Sequence, residues 1–248
     1  MAGHSKWANI RFRKGAQDAK RGKLFTKLIR EITVATKAAG PDPDNNPRLR
    51  AAVDKGLSNN MKRDTIETAI KKGSGTTDSE NFDEIRYEGY GPAGIAIIVD
   101  CLTDNKNRTV AEVRHAFSKA GGKLGTSGSV DYMFQKLGVI NFSNGVNEDA
   151  LMEAALDAGA DDIIAHADGS FEVLTQPEEF MVIRDRLVEL EFTHEQAEVT
   201  LRADNLSPVS ESDAEKILRL LDALDELDDV QNVYSNADFS TLAMKDAE

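Results

Sequence analysis

The chain contains one cysteine in 248 residues, so an internal disulfide framework is excluded. That residue, Cys101, sits in the apolar run GIAIIVDCL, where a buried, inert thiol is expected rather than a nucleophile. No apolar run approaches the roughly 20 residues needed to span a bilayer, and the start MAGHSKW lacks the apolar core of an export signal. A cytoplasmic protein with no membrane partner is expected. Histidine is also scarce. His4, His115, His166 and His194 lie far apart, in neither HxxxH nor HExxH spacing.

Other signatures of chemistry are missing too. There is no GxSxG nucleophile motif. GGKLGTSGS invites comparison with a phosphate loop, but a Walker loop needs GxxxxGK, then Ser or Thr, then a helix. Here Leu124 follows Lys123, and the segment leads towards strand VDYMF. Asp161-Asp162 and Asp225-Glu226-Asp228-Asp229 have no neighbouring His or Cys and lack calcium-loop spacing, so they read as solvated faces. No catalytic residue, metal site or cofactor is expected, and nothing positive marks the chain as an enzyme.

What the chain does have is charge, divided unevenly. The net charge is -13, yet residues 1–77 carry +10 and residues 78–248 carry -23. Such a sign asymmetry points to modules with different partners. Within the front module, Lys6, Arg11, Arg13, Lys14, Lys20, Arg21, Lys23 and Lys27 face only Asp18, and Trp7 and Phe12 are interleaved. A phosphate backbone needs several cations at once, because binding is driven largely by release of condensed counterions. Arg can grip phosphate with two donors, and Trp7 can stack on an unpaired base. The competing reading is a solvated basic helix face with Trp7 folded onto its own bundle.

Periodicity organises the rest. From Gln17 to Ala39, apolar Leu24, Phe25, Leu28, Ile29, Ile32, Ala35 and Ala39 recur at helical steps. Lys20, Lys23, Lys27, Arg30 and Lys37 occupy the other side. GPDPDNNP breaks this helix, a second follows Pro47, and Asp64 with Glu67 predicts a capping pair opening a third. KKGSGTTDSENFD reads as a linker. Beyond it come two strands joined around Gly91–Gly94 and a helix over 108–120, opened by a Thr109-x-x-Glu112 box. From Gly138 the order β-α-β-β-α-β is the split pattern of a ferredoxin-like sandwich. A last helix, opened by Ser212-x-x-Glu215, and strand VQNVYS complete the neighbouring domain. The fold class expected is α+β. A helical domain over 1–77 precedes an α/β domain made of 78–134 plus 206–240, into which a second α/β domain, 135–205, is inserted.

The blocks GHSKWANI, RKGAQDAKRGKLFTKLIREI, NPRLRAAVDKGLSNNM, YEGYGPAGIAIIVDCLTDN and NRTVAEVRHAFSKAGGKLGTSGSV closely resemble the YebC/PmpR family, which includes the mitochondrial translational activator of cytochrome c oxidase. They run through most of the chain. The family signature falls here on His4, Ser5, Lys6, Trp7, Lys14, Asp18, Lys20 and Arg21. The resemblance implies three domains and a cytoplasmic DNA-binding transcriptional regulator. It also leaves open a ribosome-associated factor that binds ribosomal RNA and eases translation through proline runs. The expected nucleic-acid contacts are His4, Ser5, Lys6, Trp7, Arg11, Arg13, Lys14, Lys20, Arg21, Lys23, Lys27 and Arg30. A different class, a protein-interaction or small-molecule sensor built on the α/β domains, would make the basic segment incidental. No recognition helix of helix-turn-helix type is evident in the pattern.

Overall fold

The computed structural model describes residues 17–75, 81–166 and 168–239, with side chains in the first helix from Gly22 onward. These residues fall into two compact units, one built from 17–130 with 212–235, the other from 131–211 with 236–239.

The first unit opens with three helices, α1 (Gln17–Ala39), α2 (Pro47–Ser58) and α3 (Arg63–Gly73). The apolar side of α1 buries Leu28, Ile32 and Ala35 against Leu49 and Ala52 of α2 and Ile66 and Ala69 of α3. Asn46 explains the break after α1. Its side chain accepts from Leu49 N at 3.0 Å, capping α2, and donates to Ala35 O and Gly40 O, both at 2.8 Å. Pro47 then occupies the first turn, where its missing N–H costs nothing. Helices α1 and α3 touch closely at Gly73. A Cβ there would lie 2.5 Å from Thr33 O, so only glycine fits without a shift.

The same unit continues with β1 (Asp83–Tyr90), β2 (Ala96–Thr103), α4 (Lys106–Lys119) and β3 (Lys123–Leu124). After the second unit's strands and helices, the chain returns with α7 (Glu211–Asp225) and β9 (Val230–Ser235). Strand order is β3-β1-β2-β9, with every neighbouring pair antiparallel. β1 separates β2 from β3, so β2-α4-β3 is a split β-α-β unit. β2 is central and almost wholly buried, which accounts for its unbroken apolar run.

The second unit contains β4 (Phe134–Phe142), α5 (Glu148–Asp157), β5 (Asp162–Ala165), β6 (Phe171–Thr175), α6 (Phe180–Glu189) and β7 (Gln196–Ala203). Its antiparallel sheet has the order β5-β6-β4-β7, the ferredoxin-like arrangement that the element order predicts. Ile140, Phe142, Phe171 and Val173 face Leu151, Ala155, Phe180, Ile183 and Leu187 from the two helices. Short strands β8 (Ser207–Pro208) and β10 (Ala237–Asp238) pair in parallel as a separate two-stranded sheet. The architecture is α+β, with the helical segment followed by the two sheet domains.

Three capping assignments differ from those expected. α3 is preceded by Lys62, which makes no side-chain cap, and Asp64 lies inside the first turn, where a carboxylate favours the positive helix end. α4 is capped by Asn105, which accepts from Arg108 N at 3.1 Å, and Thr109 lies inside the first turn, where its own N–H bonds Asn105 O. α7 starts at Glu211, two residues before the Asp213 start that a Ser212 cap implies.

Candidate nucleic-acid interface

Lys23, Lys27 and Arg30 recur along α1 at steps of four and three, one charged stripe beside the apolar one. Its two later members, Lys27 and Arg30, are half-buried, and Lys23 is exposed. Lys23 Nζ donates to Glu226 O at 2.9 Å. Lys27 Nζ donates to Asp225 O at 3.0 Å and pairs with Asp225 Oδ1 at 3.1 Å. Arg30 Nη1 donates to Asp228 O at 2.5 Å and to Asp229 Oδ1 at 3.1 Å, and its guanidinium lies 5.3 Å from the Phe82 ring centroid. The partners are the last turn of α7 and the residues after it, where carbonyls have no helical partner and the helix dipole favours cations.

Asp229 is the centre of this arrangement. Its side chain is 2% exposed and collects donors from four residues. Oδ1 takes Arg30, while Oδ2 accepts from Thr103 Oγ1 at 3.0 Å, Thr109 Oγ1 at 2.8 Å and Arg108 Nη2 at 2.6 Å. Burial alone would raise its pKa. The hydrogen bonds from Arg108, Thr109 and Thr103 outweigh burial and hold the carboxyl below the usual aspartate value. The acidic run Asp225–Asp229, expected as a solvated face, instead seats the cations of α1. The complementary signal was present, since Lys23, Lys27 and Arg30 match a carboxylate-rich helix end.

Further polar contacts join the same helices to the sheet domain. Arg48 bridges Glu31 of α1 at 2.6 Å and Glu84 of β1 at 2.7 Å, and the Glu31 bond, ahead of the Glu84 one, raises its pKa despite partial burial. Lys37 donates to Asn81.

His4, Ser5, Lys6, Trp7, Arg11, Arg13 and Lys14 lie outside the described residues, as do the side chains of Lys20 and Arg21. On α2 and α3, Lys55, Lys62, Arg63 and Lys71 are exposed. The segment that resembled a phosphate loop is occupied by the protein's own carboxylate. Glu88 accepts from Gly128 N at 2.7 Å and Val130 N at 2.8 Å. Cys101 is buried, which pushes its thiol up to about 12. Among the described residues no group of three or more His, Cys, Asp and Glu is placed to hold a metal ion, and no helix is long and apolar enough to cross a membrane.

The chain belongs to the TACO1/YebC family: residues 5–76 match its N-terminal domain and residues 82–237 its second and third domains. It is 67% identical over 97% of both chains to a probable transcriptional regulatory protein of Methylococcus capsulatus. A probable transcriptional regulatory protein of Francisella tularensis is 62% identical, again over 97% of both chains. Among solved structures, a conserved hypothetical protein of Aquifex aeolicus superposes with a TM-score of 0.79 at 45% identity, over 89% of this chain and 91% of that one.

Proposed function

We propose that this protein is a cytoplasmic, non-enzymatic regulator of transcription that binds DNA through its basic front end and needs no cofactor. The observation that carries the reading is the concentration of +10 in residues 1–77 of a chain whose net charge is -13. The printed names of the relatives, probable transcriptional regulatory proteins, agree with it.

On this reading the cations of α1 divide into two groups. Lys27 and Arg30 have side chains only 14% and 20% exposed, and both are held by acidic partners. Nucleic-acid contacts on this reading fall to His4, Ser5, Lys6, Trp7, Arg11, Arg13, Lys14, Lys20 and Arg21, with Lys23 at the edge. Lys27 and Arg30 serve to fasten the helices to the sheet domain.

Crosslinking in cells, followed by sequencing of the bound nucleic acid, tests the proposal. Discrete duplex DNA sites upstream of genes are expected. Enrichment of ribosomal RNA with no such sites overturns it.

A further inference from the structure

Between Leu137 and Ile183 the chain carries ten carboxylates and not one Lys or Arg. Helix α5 lies in the middle of that stretch. Leu151 and Ala155 turn into the core of the second unit. Two rows run along the other side at four-residue steps, Glu148, Met152 and Leu156 in one and Asp149, Glu153 and Asp157 in the next. All six residues are exposed.

Neither row is favourable as it stands. Met152 and Leu156 are 42% and 59% exposed, an apolar pair one turn apart in water. Like charges four residues apart on a helix repel, and Asp149, Glu153 and Asp157 make two such pairs in succession. No cation among the described residues pairs with any of the four carboxylates. An apolar strip edged by carboxylates fits a partner that brings cations and large apolar side chains together. It repels nucleic acid and anionic lipid.

The front end of the chain has that composition. Residues 3–16 carry Lys6, Arg11, Arg13 and Lys14 with no carboxylate, and Trp7, Ile10 and Phe12 stand among them. Residues 20–30 are similar, but Leu24, Phe25, Leu28 and Ile29 are already committed to the helical bundle. Attachment to the same chain raises the effective concentration of residues 3–16 at α5 to roughly the millimolar range, so a contact too weak to hold a separate partner suffices. From Trp7 to Gln17 the chain extends up to about 35 Å, the breadth of a domain of this size.

We infer that, when no nucleic acid is bound, residues 3–16 dock on the Glu148–Asp157 side of α5. Trp7 and Phe12 cover Met152 and Leu156, and the cations lie along the two carboxylate rows. Resting on the DNA-binding reading above, the inference adds how that binding is restrained. A polyanion must outcompete α5 for the same cations, so weak, scattered binding is suppressed.

Trp7 is the only tryptophan, so its emission reports on the front segment of the intact protein. Two variants of the full chain are compared with the parent at low salt. One is Met152→Gln with Leu156→Gln, which alters no charge, and the other is Glu153→Gln with Asp157→Asn. All four positions are exposed, so thermal midpoints should match the parent. Parent Trp7 should emit to the blue of free tryptophan and resist acrylamide, and each variant should shift it to the red and expose it to the quencher. With the contact about nine-tenths closed, opening it should tighten binding to a labelled duplex about tenfold, in the uncharged variant as well. A parent Trp7 that is fully exposed, or one that stays protected in either variant, overturns the inference. Protection that grows with protein concentration also overturns it, because the occupant is then a second copy of the chain. Release of Trp7 with no gain in duplex affinity overturns the restraint. If Trp7 is released as expected but neither parent nor variants bind any duplex, the docking stands and the DNA-binding reading falls.

Discussion

Arg30 Nη1 lies 3.1 Å from Asp229 Oδ1, and the two residues are 199 positions apart in the chain. The first described helix is thereby tied to the loop that precedes the last strand of the first sheet.

Replacing Asp229 by Asn should be costly, because the guanidinium groups of Arg30 and Arg108 then lose their shared counter-charge. Removing one partner of a fully buried ion pair costs about 3 kcal/mol or more, and the partial exposure of Arg30 and Arg108 lowers this to about 2 kcal/mol. Urea unfolding at pH 7 should show a loss of that order, and a loss within experimental error would mean that Asp229 is not the hub. The pH dependence carries a sign. Its folded pKa is depressed, so the carboxylate stabilises the fold above the unfolded value near 3.9 and stops doing so as pH falls through the folded value. The gap between parent and Asp229→Asn should be full at pH 7, shrink below about pH 5 and close at still lower pH.

Lysines on one helix should behave differently towards DNA. Neutralising Lys20 or Arg21 should lower the slope of log affinity against log salt by about 1 each, as loss of a phosphate contact does. Lys27→Gln should leave that slope unchanged while making the bundle easier to release from the sheet domain at low salt. Anisotropy titrations with a labelled duplex at several salt concentrations separate the two. An equal slope change at Lys27 would contradict its role as a fastening.

Two glycines in neighbouring helices should respond oppositely to alanine. At Gly73 the new Cβ would meet Thr33 O at 2.5 Å, so Gly73→Ala should destabilise by about 2 kcal/mol. At Gly56 the nearest atom would be 3.5 Å away, and the helical preference of alanine should stabilise by about 0.5 to 1 kcal/mol. Chemical denaturation midpoints of the two variants decide the matter. Gly56 falling as far as Gly73 would show that α2 and α3 cannot accept a methyl group between them.

Cys101 should be silent in the folded protein. Its thiol is buried and pushed up to about 12, so a disulfide-exchange reagent at pH 8 should label it only in denaturant. Rapid labelling of the native chain would show that β2 opens.

Much of this architecture was readable from periodicity alone. The apolar repeat placed α1 at Gln17–Ala39 and the last long strand at Val230–Ser235, where both are found. What pattern could not supply were groups recruited by distant partners. Thr109 fits a capping box locally, but Asp229, 120 positions away, takes its hydroxyl, and Asn105 caps the helix instead. The break between α2 and α3 is implied by the pattern, but its form is not, because Asn60 rather than a glycine fills the left-handed position. Most of the candidate contact residues were named from charge and from family blocks. The fastening role of Lys27 and Arg30 was invisible because charge counting does not reveal which acid a base will find.

The long span between Arg30 and Asp229 has a consequence for how the molecule is made. Chains emerge from the ribosome front end first, and domains fold as they appear. The core of the three helices is complete once Ala69 has been added, but the acidic seat for their cationic stripe is not synthesised until Asp225–Asp229. Throughout the intervening elongation Lys23, Lys27 and Arg30 have no seat. On the DNA-binding reading proposed above, a newly made helical segment is a stronger polyanion trap than the finished protein, and the stripe closes just before β9 completes the first unit.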